Sequence, residues 1–272
     1  MAMTDVQPLP RRVAAPLARR RRLGAATSIG LGAAGLLAFL LVWQAVPSLG
    51  LVNPMMLPGP LDIPAAFRGE LLSGAWAMAV GVSLSHYALG LALGAALGVA
   101  LGVATGMSRG AEEATAWVVR VLRPIPGLAW APFAIIWFGV TPKAAVFIIT
   151  ISVFWIVFFA AHGAVRAVDR DLVEVAEAFG FRGPGEKLLK IYLPAALPGI
   201  LVGLRTALGQ AWMAVVAAEI FGVPGLGHRM IEASSLLATD IVVVYMLTMA
   251  ALYGLLDSLF LVLEARLLQW KA

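Results

Sequence analysis

The residues whose types and spacing could do chemistry lie together in one polar segment, Asp169–Pro194, with apolar sequence on both sides. Asp169 or Asp171 can cap a helix by accepting hydrogen bonds from its free backbone N–H groups. Gly180 is a typical helix end, and a second short helix is predicted over Glu186–Tyr192. The chemistry predicted for this segment is docking, because short amphipathic helices with acidic, small and apolar surfaces suit a groove on a partner.

Glycine and proline set the shape of this polar segment. Gly183-Pro184-Gly185 predicts a turn between two helices, and Pro194 and Pro198 are expected to end the second helix before the next apolar segment. The segment devotes about 30 residues to ordered amphipathic elements, which is longer than an ordinary connection between helices. We therefore interpret it as a docking element rather than a plain loop.

The other residue types that do chemistry argue against an enzyme or a metal site. The chain has no cysteine, and His86, His162 and His228 lie far apart in no metal-ligand spacing. No Gly-x-x-x-x-Gly-Lys-Ser/Thr phosphate loop is present, so the sequence contains no ATP-binding motif of this kind. We predict no catalytic residue, no metal and no cofactor bound by this chain. The net charge of +5 is interpreted as a signal of membrane orientation, not of nucleic-acid binding.

The composition is that of a protein embedded in a membrane. Hydrophobic residues make up 61% of the 272-residue chain and charged residues 13%, against about 25% charged residues in soluble domains. A spanning helix needs about 20 mostly apolar residues, and six segments meet this requirement. Their predicted limits are Thr27–Val46, Val80–Gly106, Thr115–Phe138, Ala144–Ala164, Gly199–Ile220 and Ile241–Leu263. We therefore predict an all-α integral membrane protein with about six transmembrane helices.

The basic residues predict the orientation of these spans. With both termini in the cytoplasm, most of the 20 lysine and arginine residues lie on the inside, in agreement with the positive-inside bias. The polar segment, between spans four and five, then faces the cytoplasm. The predicted division of the chain is a basic cytoplasmic tail (1–26), a first transmembrane anchor (27–46), an extracytoplasmic loop with an interfacial helix (47–79) and a core of five spans (80–268).

Two spans carry unusual residue patterns. In the second span every fourth residue is glycine, so one helix face is nearly bare backbone and permits close packing of another helix or, alternatively, sliding. These glycines are Gly90, Gly94, Gly98, Gly102 and Gly106. In the third span, prolines free backbone groups that need a lining partner or water. Arg120 and Arg123 of that span either snorkel to the cytoplasmic surface or form an electropositive lining for an anionic solute.

The fifth span carries further polar candidates. Arg205 either lines a pathway or pairs with Asp257 of the sixth span, and Gln210 and Trp212 serve either a pathway or helix packing. Glu219, at the outer end of the span, is expected either to contact a partner or to be solvated. His86 is expected to be packed or interfacial rather than a ligand.

The polar segment resembles the EAA loop of the permease subunits of bacterial ABC importers. The family pattern is Glu-Ala-Ala, a glycine after three more residues, and Ile-x-Leu-Pro after nine more. Glu174-Val175-Ala176 and Gly180 match its start, and Ile191-Tyr192-Leu193-Pro194 matches its end. The spacing from Gly180 to Ile191 is one residue longer than the pattern, and the glycine-proline turn between them can absorb the extra residue.

The resemblance extends over nearly the whole chain from Leu57 on. The stretches Arg123–Pro132, Trp137–Gly139, Ala217–Glu219 and Gly225–Gly227 are similar to the nitrate, sulfonate and taurine branch of these permeases. Each stretch is short, but all occur in order and at matching positions in the topology. The chain is thus identified as resembling the inner-membrane component of a binding-protein-dependent importer with a MetI-like architecture.

The resemblance implies a multi-pass permease of the bacterial inner membrane, surrounded by lipid. Two copies would form one pathway, and each would hold a cytoplasmic ABC ATPase through a coupling loop over residues 165–195. ATP and Mg²⁺ would bind that ATPase, and an extracytoplasmic solute-binding protein would deliver a small anion such as an aliphatic sulfonate, taurine or nitrate. The ATPase contacts expected in the loop are Glu174, Ala176, Glu177, Gly180, Ile191, Leu193 and Pro194. The pathway candidates are Arg123, Pro126, Trp130, Gln210 and Trp212, and the candidates for contact with the binding protein are Glu219, Gly225, Gly227 and His228.

Two alternative functions remain from the residues alone. A proton-coupled secondary transporter usually shows an intramembrane acid pair or an inverted repeat of broken helices, whereas Asp257 is the one acid placed well inside a predicted span. An integral-membrane enzyme needs a cluster of acids or histidines near one interface, and the histidines here are dispersed. Both therefore rank below an importer permease.

Overall fold

The computed structural model describes residues 25–269, and within this range the chain is helical without strands. The helices of this range are α1 (Ala25–Ser48), α2 (Ile63–Leu72), α3 (Ala75–Met107), α4 (Arg109–Leu122), α5 (Ala131–Phe138), α6 (Pro142–Arg166), α7 (Arg170–Ala178), α8 (Pro184–Lys187), α9 (Leu193–Ile220), α10 (Leu226–Ser235) and α11 (Thr239–Leu267). A 3₁₀ turn (Gly127–Trp130) precedes α5, and a π-helical turn (Leu188–Tyr192) joins α8 to α9. The predicted all-α class is confirmed, while residues 1–24 of the predicted tail lie outside the described range.

Five helical segments are long and apolar enough to cross a membrane, and a bent pair brings the number to six. They correspond to the six predicted spans, with α1, α3, α6, α9 and α11 as the unbroken ones. The predicted interfacial helix is shorter than expected, because α2 ends at Leu72 and Gly74 takes a left-handed φ of 75°. The second span therefore begins at Ala75 rather than at residue 80.

The third span is interrupted at its prolines, whose effect on the backbone the sequence had indicated. Its two parts, Arg109–Leu122 and Gly127–Phe138, meet at an angle of 84°. Pro124 and Pro126 lie at this break, where they cannot donate the backbone hydrogen bonds that would continue a helix. Contacts to α6 nevertheless follow α6 from end to end, from the Glu112–Arg166 ion pair near its C-terminus to the buried cluster near its N-terminus that holds Ala131. The segment therefore crosses in a broken form.

The glycine face of α3 packs directly on α6. A methyl group placed on any of its five glycines would lie 2.5–2.9 Å from the nearest α6 atom, which is closer than real carbon contacts. At Gly94 and Gly98 the neighbours include the backbone carbonyl oxygens of Thr150 and Phe154. Helix α9 packs on the other side of α6, where Gly203 faces Ala160. The prediction of close packing is confirmed, and α6 is the central helix of the core.

The helix after the polar-segment turn continues into the fifth span, so the expected break at Pro194 and Pro198 is wrong. Helix α8, the π-helical turn and α9 together form one 37-residue helical segment, Pro184–Ile220. A proline ring normally clashes with the carbonyl four residues earlier in an α-helix. The wider π-helical turn directly before Pro194 changes the hydrogen-bond register there, so the chain passes the proline without ending the helix.

Candidate functional site

Helix α7 is defined by signals at both ends. The Asp169 carboxylate accepts a hydrogen bond from the backbone N–H of Asp171 at 3.0 Å, so Asp169 is the cap of the two candidates. At the other end Gly180 has a φ of 95°. The N–H of Gly180 donates to the carbonyl of Glu177, and the N–H of Phe181 donates to that of Ala176. This pairing closes a helix end that only glycine adopts without strain.

An apolar face lies exposed on α7. We define it by Leu172, Val175 and Phe179, whose side chains are 55%, 55% and 78% exposed. Their spacing of three and four residues places them on one side of the helix. Ala176, one of the expected ATPase contacts, is half-buried and does not belong to this face. Three large apolar side chains on one exposed helix face favour burial against a partner.

The opposite side of α7 is fixed to the rest of the polar segment by charges. The Lys187 ammonium donates a hydrogen bond to the Glu177 carboxylate, and this bond lowers the pKa of Glu177. Lys190 lies 4.3 Å from the centre of the Phe181 ring. These contacts set the direction in which the apolar face points. Glu174 and Pro194 are exposed, and Ile191 and Leu193 are half-buried.

A second candidate site is built around Glu219, whose side chain is fully buried. Its carboxylate accepts hydrogen bonds from Ser83 Oγ at 2.7 and 2.9 Å and from the N–H of Gly227 at 2.9 Å, and it lies 3.1 Å from His86 Nδ1. Ser83 Oγ in turn accepts a bond from the N–H of Leu226 at 2.8 Å. The turn after α9 is thereby tied to α3.

Two glycines make room for this carboxylate. A methyl group on Gly225 would lie 2.1 Å from the Glu219 carboxyl carbon, and one on Gly227 would lie 2.8 Å from the carbonyl of Val216. Gly225 also has a φ of 150°. We call Glu219, Ser83, His86, Gly225 and Gly227 the outer clasp. The backbone at Gly225 and Gly227 therefore runs directly over the buried Glu219 carboxylate, and only glycine leaves enough room for it there.

A second, partly buried network joins α2, α10 and α11. Arg229 donates to both oxygens of Glu70 at 3.0 and 3.1 Å and to Glu232 at 2.8 Å, and the Tyr245 hydroxyl also donates to Glu70. Hydrogen bonding with Tyr245 and Glu70 raises the pKa of Arg229 further above its usual value. The network fixes α2 and α10 against α11. In the sequence, the only indication of this network was the presence of Arg229, Glu70 and Glu232 in segments that were predicted to be extracytoplasmic loops.

The pathway candidates do not form one cluster. Arg123, Pro126 and Trp130 follow one another along the broken third span beside α6, and Gln210 lies exposed on α9. Trp212 is buried, and its ring packs edge-on against Tyr87 at 5.4 Å. Trp212 therefore fits the packing alternative and not a pathway lining in this conformation.

The chain matches a known family of membrane transport proteins over most of its length. Residues 94–269 match the family described as the binding-protein-dependent transport system inner membrane component. The chain belongs to this family. It is 34% identical over 231 residues to the putative aliphatic sulfonates transport permease protein SsuC of Bacillus subtilis (strain 168), covering 85% of this chain and 83% of that one. It is 30% identical over 244 residues to the taurine transport system permease protein TauC of Escherichia coli (strain K12), covering 87% and 88%.

The fold agrees with a solved transporter. A chain of the MetNI methionine ABC transporter in inward-facing conformations superposes with a TM-score of 0.54 at 21% identity, covering 75% of this chain and 97% of that one. The protein is thus a multi-pass inner-membrane permease subunit with a MetI-like fold, and it is not an enzyme. ATP hydrolysis belongs to a separate ATPase subunit, and a solute-binding protein is the other partner that the family implies.

Within the permease, several expectations about single residues are resolved. Arg205 pairs with Asp257 through two hydrogen bonds of 3.1 and 3.2 Å, as the sequence suggested. His86 is packed inside the outer clasp rather than at an interface. Glu219 is neither solvated nor free to touch a partner in this conformation, because the clasp encloses its carboxylate. His228 lies half-buried on α10, a helix that the sequence had not predicted, 3.3 Å from Glu232.

The outer clasp predicts a strong effect of Glu219→Ala on the stability of the permease. This substitution leaves the Ser83 hydroxyl and the Gly227 N–H buried without their acceptor, and an unsatisfied buried polar group costs about 1–3 kcal/mol. We expect a clearly lower Tm in detergent, measured by the unfolding of the purified permease. Glu219→Gln keeps the shape and one acceptor oxygen, so its loss should be smaller. Glu113→Ala, on the exposed side of α4, is the control, and equal Tm values for E219A and E113A would contradict the clasp.

The left-handed backbone at Gly180 predicts a graded effect of substitution. A methyl group there meets nothing within 4 Å, so the penalty comes from the φ of 95° alone. Alanine is strained in this region by roughly 1 kcal/mol, whereas asparagine tolerates it better. We expect Gly180→Ala to weaken ATPase binding more than Gly180→Asn does, with unchanged yields of folded permease, as measured by co-purification. Equal binding by both variants would show that the helix end does not position the apolar face.

Proposed function

We propose that two copies of this permease form one pathway that imports a small anion of the aliphatic sulfonate, taurine or nitrate class. Relatives of similar length carry names for aliphatic sulfonates and taurine. Both solutes have a compact sulfonate group with one negative charge. A pathway for such solutes needs positive groups or hydrogen-bond donors within the membrane, and Arg123 on the broken third span provides a positive group.

The observation that carries the coupling proposal is the exposed apolar face of α7. We propose that this face enters a groove on the ABC ATPase, with Glu174 and Gly180 beside it and Ile191, Leu193 and Pro194 at the base. Apolar side chains exposed to this degree gain free energy when a partner covers them. The interval between Gly180 and Ile191, which is one residue longer than the family pattern, contains the turn at Gly183, and we propose that this turn absorbs the extra residue.

The continuous helical segment explains how movement of the ATPase would reach the membrane. The turn at Gly183 leads directly into α8, the π-helical turn and α9 without a break. A displacement of α7 is passed to α8 by the Glu177–Lys187 ion pair, and α9 packs on α6 at the centre of the core. Closure of two ATPases on ATP and Mg²⁺ would thus move both fifth spans together.

On the opposite side, we propose that the turn around Gly225 and the start of α10 receive the solute-binding protein. Both termini are then cytoplasmic, as the distribution of basic residues predicts. His228 is partly exposed at the start of α10. Gly225 and Gly227, which were expected to contact the binding protein, are buried in this conformation and, with Glu219, support the turn from beneath. The clasp gives the turn a fixed shape, and pre-organised surfaces lose less entropy on binding.

The test is uptake by proteoliposomes that contain the permease, the ATPase encoded beside it and the matching binding protein. We expect ATP-dependent accumulation of radiolabelled ethanesulfonate, taurine or nitrate, and none of choline. Cross-linking of single cysteines introduced into two copies would report the dimer. Accumulation without any ATPase would overturn the proposal, and so would uptake confined to cations.

The observations give no support to a secondary transporter. Asp257, the acid expected within a span, is held by Arg205. Glu219 accepts hydrogen bonds from a hydroxyl and a backbone N–H and has no exposed surface. The Glu219 carboxylate is thus closed to a proton path and the Asp257 carboxylate is occupied by an ion pair in this conformation. Membership of the family favours the importer.

A further inference from the structure

A polar cavity opens between α3, α4 and the cytoplasmic half of α6. Its volume is about 360 Å³, within the lower range of small-molecule sites. The walls combine aromatic rings, two hydroxyls, a histidine and two arginines. Its lining is Thr105, Glu112, Thr115, Ala116, Val119, Arg120, Arg123, Phe158, Phe159 and His162. We call it the arginine cavity.

The two arginines reach this cavity from one helical turn. Arg120 and Arg123 are three residues apart at the end of α4, so their side chains leave the same face of the helix. The Arg123 guanidinium lies 4.3 Å from the centre of the Phe159 ring, and that of Arg120 lies 5.1 Å from the Trp117 ring. Stacking on a ring leaves the N–H groups at the guanidinium edge available to an oxyanion.

The acid in the wall is engaged elsewhere. Glu112 Oε2 accepts a hydrogen bond from Arg166 at 3.0 Å, and Glu112 Oε1 lies 3.7 Å from His162 Nε2. His162 Nδ1 lies 3.0 Å from the Thr105 hydroxyl. The Glu112 charge is thus balanced by Arg166. Arg120 and Arg123 form no ion pair with an acid among residues 25–269, so they give the cavity a positive balance.

The position along α6 places the cavity on the inner side of the protein. Phe159 lies seven residues before Arg166, the last residue of α6, which corresponds to about 10 Å along the helix. His162 lies closer to that end. In the proposed orientation the cytoplasm is therefore about two helical turns from the Arg123 guanidinium, a depth that an arginine reaches from the interface.

We propose that the arginine cavity is an anion site on the cytoplasmic half of the pathway. It binds the oxyanion group of the solute through the guanidinium groups of Arg120 and Arg123. This inference rests on the proposed function for the identity of its ligand. The site is only partly enclosed, so binding is weak enough for release, as conduction through a multi-site path requires. The shared chemistry, a singly charged oxyanion, is also that of an anionic lipid headgroup.

The test is equilibrium dialysis of radiolabelled ethanesulfonate against the full-length permease in phosphatidylcholine nanodiscs, without ATPase or binding protein. We expect saturable binding that Arg123→Gln and Arg120→Gln each weaken about tenfold or more, since each removes charge-assisted hydrogen bonds. Arg109→Gln is the matched control, because Arg109 lies on the same helix and is exposed but does not line the cavity. Unchanged binding by R120Q and R123Q, or equal loss in R109Q, overturns the proposal.

A second arm separates the solute from lipid. Nanodiscs containing phosphatidylglycerol should leave ethanesulfonate binding unchanged, whereas loss of binding in these discs assigns the cavity to lipid headgroups and overturns the proposal. The uptake experiment fails or succeeds independently. If ATP-driven uptake is observed but R120Q and R123Q bind ethanesulfonate as well as the unaltered permease does, the anion site is wrong and the proposed function stands. If ethanesulfonate binding depends on the two arginines but no ATP-driven uptake occurs, the anion site is supported and the proposed function is wrong.

Discussion

Replacing Phe179 with aspartate is expected to abolish ATP-driven uptake and binding of the ATPase while the permease stays folded. Phe179 is 78% exposed at the end of α7, so no internal packing is lost. A carboxylate introduced there would have to be desolvated when the apolar face enters a groove. Central aromatic residues of an interface contribute at least about 2 kcal/mol, which corresponds to roughly a thirtyfold loss of affinity. Co-purification of the ATPase and solute uptake by proteoliposomes measure the two effects.

The control for this substitution is Met56→Asp. Met56 is 75% exposed in the loop after α1, on the side opposite the polar segment in the proposed topology. It tests whether an added acid on an exposed apolar position is harmful by itself. If the F179D permease binds the ATPase as well as the M56D permease does, the apolar face of α7 takes no part in coupling.

Gly94→Leu is expected to prevent the permease from folding. A methyl group on Gly94 would lie 2.7 Å from the backbone carbonyl of Thr150 and from Val153 Cβ. Backbone of the central helix cannot move aside as a flexible side chain can, so α3 and α6 would have to separate along their whole contact. Overpacking of a core costs about 1–3 kcal/mol or more, and separation adds the loss of neighbouring contacts. The yield of monodisperse protein in detergent and its Tm measure the effect.

Gly81→Leu is the matched control on the same helix. A methyl group on Gly81 meets nothing within 4 Å, so the same change of residue enlarges an open surface. Its yield should stay close to that of the unaltered chain. Similar yields for both leucine variants would mean that the glycine face of α3 is not a rigid contact and would revive the sliding alternative.

The comparison of sequence and structure differs between elements for physical reasons. The glycine face was predicted from its spacing alone, because a helix has a fixed period and small residues permit close approach. The interruption of the third span was predicted from its prolines, but its 84° bend was not, since hydropathy measures apolar length and does not report the direction of the chain after Pro124 and Pro126. The helix through Pro194 was missed because a π-helical turn has no known signature in the residues that form it. Glu219 was correctly placed at the end of the fifth span, but it was expected to be solvated or to contact a partner, whereas its carboxylate is buried.

Composition and local residue patterns were enough to predict the number and approximate limits of the spans, the capped helix of the polar segment and the family. These features depend on composition and on contacts between residues close in the chain, so they can be predicted from the sequence. The packing of the helices showed that Glu219 is enclosed by Ser83 and Gly227 and that Arg123 stacks on Phe159 beside a cavity. It also chose between the two alternatives for Arg205, in favour of the pair with Asp257. Each of these pairings joins different helices, and burial and distance between helices are set by how the helices pack.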